Sequence, residues 1–406
     1  MFGKRIFKGE KMKVAGIIAE YNPFHNGHAA LIEKVRAAGA THVIAVMSGN
    51  FVQRGEPAIF DYSVRTAAAL NCGVDLVIQL PAVYAVSGAQ SFARAGIAIL
   101  DSLGIVDEIA FGSECGDIQK ISLAAKAVYS EKLKEYITPE LAKGITFASA
   151  RENALKVISP ESAEIIGTPN NILGVEYAAA LERIGSGITP VTFGRVGADH
   201  GESGVFGLVA SASYIRELVS EGKEWEKLVP ENALEYYQKA LCKGDALTDS
   251  AKFETAVLYK MRTVSAEEIS KSPDVSEGIE NRILSAAKQA STLEELYSAA
   301  KTKRYTHARI RRIVVNTAIG ITAQDLAKPV PYIRILGFNS RGAELLKAAK
   351  ETAKLPVMVK TADISDMNSD AKRVFEIECR AGDIYSLCKR NTSCAGSEKT
   401  FIPLKF

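Results

Sequence analysis

Ile18-Ala19-Glu20-Tyr21-Asn22-Pro23-Phe24-His25-Asn26-Gly27-His28-Ala29-Ala30-Leu31 is the stretch from which the rest of the chain is read. The apolar run Val14 to Ile18 reads as a buried strand, and Ala29 to Ala38 as a helix. Between them, His25-x-Gly27-His28 stands at a strand-to-helix turn. A helix start offers unpaired N–H groups and the positive end of the helix dipole, which suits phosphate. With the helix beginning near His25, the imidazoles at i and i+3 share one face. Gly27 has no side chain, so a flat group such as a nucleobase or ribose has access to the backbone. Asn22-Pro23 fixes the entry of the loop. An HxGH placed at random would be a turn with one capping histidine and one surface histidine. Here strand, loop and helix all stand where phosphate chemistry needs them.

Outward from this loop, strands and helices alternate. His42 to Met47 reads as a second strand, ending in the polar loop Ser48-Gly49-Asn50-Phe51-Val52-Gln53-Arg54-Gly55. Asp61 caps a helix that runs to Asn71, Val74 to Leu80 is a third strand, and Ala89 to Leu103 is a helix of small residues. Glu108 to Phe111 is a fourth strand, followed by Gly112-Ser113-Glu114. Pro169-Asn170-Asn171 leads into a helix from Ile172 to Ile184, and Thr189 to Arg195 is a further strand. A glycine-rich loop containing His200 follows, and Ser211-Ala212-Ser213-Tyr214-Ile215-Arg216 opens a serine-capped helix. The alternation predicts an α/β fold with a doubly wound parallel sheet. No GxGxxG follows the first strand, which argues against a dinucleotide-binding domain.

Beyond Glu217 the pattern is almost entirely helical as far as Ile321. Lys301-Thr302-Lys303-Arg304-Tyr305-Thr306-His307-Ala308-Arg309-Ile310-Arg311-Arg312 carries six Lys/Arg in twelve residues. That suits contact with an RNA backbone, and it equally suits a solvated helix face. Pro331 to Asn339 is strand-like or a tight loop, Pro356 to Lys360 is strand-like, and Asp370 to Cys388 is a helix interrupted near Gly382. The expected organisation is an N-terminal extension over 1–11, a nucleotide-binding domain over 12–217 and a mainly helical domain over 218–406. The 406 residues carry a net charge of only +3, so any basic surface is local. Six scattered cysteines without a CxxC pair read as reduced thiols of a cytoplasmic protein. No apolar run is long enough to span a bilayer, and no zinc site is expected.

The HxGH loop resembles the signature of the adenylyltransferase superfamily. Ser211 to Arg216 is similar to the ISSTxxR-like helix start that closes such sites, with Tyr214 where threonine is usual. Along its length the chain resembles the bacterial tRNA(Met) cytidine acetate ligase family. The resemblance is carried by Glu20 to His28, Met47 to Gly55, Phe111 to Glu114, Pro169 to Gly174, Ser211 to Arg216, Arg304-Tyr305-Thr306 and Arg334 to Phe338.

It implies a Rossmann-like sheet of the nucleotidyltransferase type. It also implies an enzyme that converts acetate and ATP to acetyl-adenylate, then passes the acetyl group to the exocyclic amine of the wobble cytidine of elongator tRNA(Met). By matched position, ATP contacts fall on Ile18 to Leu31, Gly112, Asn170 and Arg195, with Asn171 an equal neighbour of Asn170. His25, His28 and Arg216 would be catalytic, with Mg²⁺ on the pyrophosphate. His200 is a weak candidate for handling the amine proton. Two other readings stay open: a small-molecule adenylyltransferase, and a non-catalytic RNA-binding protein with a relic nucleotide site. Class I aminoacyl-tRNA synthetases share the HxGH loop, but no KMSKS-like loop is found in this chain.

Overall fold

The structure, a computed structural model, describes residues 6–7, 10–195, 207–243 and 247–406. Its centre is an eight-stranded sheet. The strands are β1 (Val14–Ala19), β2 (His42–Ser48), β3 (Leu76–Leu80), β4 (Glu108–Ser113), β5 (Thr189–Gly194), β6 (Ile333–Phe338), β7 (Val357–Met358) and β8 (Leu404–Lys405). The order is β7-β6-β3-β2-β1-β4-β5, with β8 also paired to β6. The five N-terminal strands are parallel, in the order 3-2-1-4-5 of a doubly wound sheet.

Strands β2 and β3 are buried throughout and β1 nearly so, as expected of parallel strands covered on both faces. Their side chains alternate between two cores. Val14 and Ile18, with Ile44, Val46, Leu76 and Ile78, face one core; Ala15, Ile17, Val43, Ala45 and Val77 face the other. Five helices matter for the site: α1 (Asn26–Ala37), α2 (Tyr62–Asn71), α3 (Ala89–Ser102), α4 (Pro169–Ile184) and α5 (Ala212–Glu221). Helix α3 lies so close to β1 that a Cβ on Gly96 would stand 2.6 Å from Ile18 Cδ1. This is why a glycine stands at position 96 of the helix.

The strand order reverses between β1 and β4, and a crevice opens there. Pairing between the two covers only Ala15↔Glu108 and Gly16↔Ile109, although β1 runs on to Ala19 and β4 to Ser113. The carboxyl ends of these strands therefore part at the point where ligands sit in open α/β sheets. The HxGH loop leaves the end of β1.

The C-terminal part is mainly helical and includes α6 (His307–Ile319) and α7 (Ser369–Cys388). It also returns to the sheet. β6 runs antiparallel to β3, with β7 and β8 parallel to β6. The expected division at residue 217 falls inside α5, and the last three strands complete the same sheet as the first five.

A buried ion network fixes that junction. Arg334 on β6 donates to Gln79 Oε1 at 2.9 Å and to Glu398 Oε2 at 2.5 Å, while Gln79 donates to Glu378 at 2.9 Å. One expectation is corrected: α7 runs without interruption through Gly382. That glycine is a packing site, since a Cβ there would stand 2.7 Å from Glu398 Cγ. No helix among the described residues is long and apolar enough to cross a membrane.

Candidate active site

His25 is the N-cap of α1, with extended backbone. Its Nδ1 accepts from the Gly27 N–H at 3.1 Å, and Nδ1 of His28 accepts from the His25 N–H at 3.2 Å. The result is a capping box made of two imidazoles in place of the usual hydroxyl and carboxylate. The rings stack with centroids 3.8 Å apart and planes 28° apart. Because both Nδ1 atoms accept, each neutral ring carries its proton on Nε2. Two N–H donors thus point away from the backbone at the helix start.

Gly27 makes the stack possible: a Cβ there would lie 2.9 Å from His25 Cε1. What a side chain at position 27 would meet is thus the His25 ring. Burial holds the His25 imidazole down to about 3, and Arg195 and Arg216 push the same way. His28 is lowered well below the ordinary histidine range by burial, then by His25 and Arg195. Both rings are neutral donors at pH 7.

The loop that presents this pair is held from four sides. Tyr21 has φ of 47°, a strained setting for a large side chain, and its buried ring meets Phe24 and His28 edge-on at 4.9 Å each. The Asn22 side chain accepts from Ile59 N–H at 2.8 Å, and its carbonyl accepts from Arg216 Nη1 at 2.9 Å. Tyr237 Oη accepts from Phe24 N–H at 2.9 Å, and Asn26 Nδ2 donates to the carbonyls of Leu208 and Lys227 at 2.7 and 2.9 Å. Ile18, Tyr21, Asn22, Pro23 and Phe24 are buried, whereas Ala19, Glu20 and Asn26 to Leu31 are half-buried.

Arg65 on α2 is fully buried and spends its guanidinium on carbonyls: Phe60 at 2.9 Å, Glu20 at 2.6 Å, Ser48 at 3.1 Å, and Gly49. It ties the ends of β1 and β2 into one floor. The sequence reading missed Arg65 and Tyr237. An arginine inside an alanine-rich helix and a tyrosine 213 residues from Phe24 give no local signal of such partners.

Across the crevice, Gly112, Asn170 and Arg195 come together. Arg195 Nη1 donates to Asn170 Oδ1 at 2.9 Å, and a Cβ on Gly112 would stand 3.2 Å from Arg195 Cγ. Glu114 anchors the start of α4 through the Asn170 side chain at 2.5 Å, Thr168 Oγ1 at 3.0 Å and Asn171 N–H at 2.8 Å. Burial alone would raise this carboxyl, but those hydrogen bonds outweigh it and hold it low. Asn171 is buried, and its side chain accepts from Cys115 N–H at 3.2 Å. The two asparagines are thereby distinguished: Asn170 faces Arg195, and Asn171 faces the fold.

Arg216 lies one turn into α5, which Ser211 caps by accepting from Tyr214 N–H. Glu20 lies within electrostatic reach of Arg216, Arg54 and Arg65, yet burial raises its pKa. Among the described residues, no group of three or more His, Cys, Asp or Glu gathers as a metal cage. His200 lies outside the described residues.

A family model described as HIGH Nucleotidyl Transferase matches residues 12–399. A tRNA(Met) cytidine acetate ligase from Acetivibrio thermocellus is 40% identical over 409 residues, covering 96% of this chain and 99% of the relative. One from Thermoanaerobacter sp. is 43% identical over 399 residues, covering 95% and 98%. The chain belongs to the tRNA(Met) cytidine acetate ligase family. Among solved structures, Thermotoga maritima TmcAL in its apo form I matches with a TM-score of 0.91 at 31% identity, covering 97% of this chain and 100% of that one. The same protein bound with alpha-thio ATP matches at 0.89, covering 97% and 99%.

In this member of the cytidine acetate ligase family, the basic stretch before and within α6 is not a row of unpartnered cations. Arg304 pairs with Glu277, and Arg311 pairs with Glu56. Arg309 donates twice to the Asp274 carbonyl, at 3.1 and 2.7 Å, and Arg312 reaches Asp274 Oδ2 at 3.4 Å. Lys301 and Lys303 remain exposed.

Proposed function

We propose that this chain activates acetate with ATP and transfers the acetyl group to the exocyclic amine of the wobble cytidine of elongator tRNA(Met). The observation that carries the reading is the stacked His25–His28 pair at the head of α1. It lies beside the crevice between β1 and β4, with Arg195 and Arg216 within electrostatic reach of His25. Acetate attacks the α-phosphorus, the bond to the β-phosphate's bridging oxygen breaks, and pyrophosphate leaves. Catalysis of such a step is mostly alignment and charge stabilisation.

In this reading the two Nε2–H groups and Arg216 bind phosphate oxygens, while Arg195, Asn170 and Gly112 flank the nucleotide from the opposite wall. Ala19, Glu20 and Asn26 to Leu31 meet ATP from the HxGH side. The buried Ile18, Tyr21, Asn22, Pro23 and Phe24 contribute through backbone and loop shape. Acetate needs no base, being ionised at neutral pH. Mg²⁺ would neutralise the pyrophosphate, held mainly by phosphate oxygens. In the second step the cytidine N4 attacks the acetyl carbon, AMP leaves and the amine loses a proton. Pyrophosphate release from ATP should require acetate and the intact histidine pair, and acetyl should appear on a tRNA(Met) transcript. Release that ignores acetate would overturn this reading.

A further inference from the structure

A second cleft opens away from the β1–β4 crevice, between the turn after helix Glu131–Ala142 and the loop ahead of α6. It has a volume of about 240 Å³ and is walled by Ile145, Phe147, Glu277, Arg304, Tyr305 and Arg309. That is below the ~300–1,000 Å³ of drug-sized ligand pockets and in scale with a single base. Phe147 is 57% exposed at its rim, an unusual setting for a phenyl ring. Tyr305 is 4% exposed, bonded through Oη to the Ser276 carbonyl, and carries the Arg309 guanidinium 4.1 Å above its ring.

The acidic side of the cleft is strained. Asp274 and Glu277 have φ of 65° and 58°, and both lie against its arginines. Such backbone settings persist where surrounding contacts over-determine them, often at binding sites. Here they set a carboxylate on Arg304 and a carbonyl on Arg309, where a phosphodiester could compete. From the cleft, α6 leads back to the active site. Arg311 pairs with Glu56, whose charge acts on Arg216, and Gly55 takes φ of +73° where a Cβ would stand 3.1 Å from the Arg311 carbonyl.

Resting on the tRNA substrate proposed above, we infer that this cleft is a subsite for one unpaired tRNA nucleotide, its base on Phe147 and its phosphate on Arg304 and Arg309, displacing Glu277. Stacking on aromatic rings and charge matching to the backbone are the two general means of holding unpaired RNA.

The test is binding of a tRNA(Met) transcript to the full chain across a KCl series. Acetate-dependent pyrophosphate release without tRNA and a thermal melt serve as controls. Phe147→Ala should weaken binding about tenfold, as loss of a stacking platform does. Arg304→Gln should lower the log–log salt slope by about 0.7, the value of one single-strand phosphate contact. Glu277→Gln should tighten binding several-fold, a gain that a merely structural role would not give. All three should release pyrophosphate like the parent. If the parent binds the transcript and folded Phe147→Ala and Glu277→Gln bind it equally well, the subsite is wrong while the proposed reaction stands. If the parent binds no tRNA, the proposed acyl acceptor and this subsite fall together.

Discussion

His25 and His28 cap each other's turn: each uses Nδ1 to accept a backbone N–H, and their rings stack at 3.8 Å. In the proposed function, cap and phosphate site are the same two rings seen from two sides, Nδ1 for the helix and Nε2–H for the ligand. The roles separate by substitution. His25→Asn keeps a good N-cap, so its melting temperature should stay near the parent's. It lacks the Nε2–H, and loss of one such donor should slow acetyl-adenylate formation by about a hundredfold, or ~3 kcal/mol of barrier. His25→Ala should lose the rate and in addition about 1 kcal/mol of stability. Pyrophosphate release and urea melts measured side by side check both; a folded Asn variant with parental rate would remove His25 from the site.

The same arrangement fixes a pH dependence. An imidazolium cannot accept at Nδ1, so protonation breaks the cap, and burial holds the His25 pKa down to about 3 in the folded chain. Unfolded, the group titrates near its ordinary value of about 6.5, so the unfolded state binds more protons between the two values. Stability contributed by the neutral ring is full above that range and is lost as pH falls through it, by up to about 1.4 kcal/mol per pH unit for each fully depressed histidine. His28, lowered in the same direction, adds to the slope. Urea melts between pH 7.5 and 5 should show parental stability falling faster than that of His25→Asn. Parallel curves would mean that His25 titrates normally.

How much of this was legible follows from range. The HxGH turn, the caps at Asp61 and Ser211, and the strand runs are local patterns, and they stand where the sequence puts them. Gly382 misleads because a glycine in a helix signals a break locally, whereas here it admits Glu398 from near the chain's end. The return of β6 to pair with β3 is invisible in the sequence because a six-residue strand-like run looks the same whichever strand receives it. Arg334 likewise gives no local sign of its partner: it is 2% exposed and paired with Glu398. Gly27 does matter for its missing side chain, since a Cβ there would meet the His25 ring.

Arg65 gives a prediction on the floor of the site. Its guanidinium serves four carbonyls from two strand ends and the loops beyond them. Arg65→Met fills the volume and leaves those acceptors buried without donors. Unmet buried acceptors cost about 1–3 kcal/mol each, so the variant should lose about 3 kcal/mol or more of stability. Any folded fraction should show a raised ATP KM, because Glu20 and Ser48 are released together. Denaturant melts and steady-state kinetics check this; a melt within about 0.5 kcal/mol of the parent, the range of neutral surface changes, would show that water replaces the guanidinium.

The basic stretch needs a cleaner test than reversing its arginines. Arg309, Arg311 and Arg312 each hold an internal partner, so charge reversal there would place acid beside Asp274 and Glu56 and disturb α6 itself. Lys301 and Lys303 are exposed and lie just ahead of α6 on the same basic stretch. Lys301→Glu with Lys303→Glu should melt like the parent, since exposed charge changes rarely move stability by more than about 0.5 kcal/mol. Acetate-dependent pyrophosphate release should be unchanged. Binding of a tRNA(Met) transcript should weaken, and its log–log salt slope should fall by roughly 0.7 to 0.9 for each phosphate that the lysines no longer neutralise. A solvated face with no RNA role predicts parental affinity and slope at every salt concentration. That result would take Lys301 and Lys303 out of the RNA surface without touching the assignment of the ATP site.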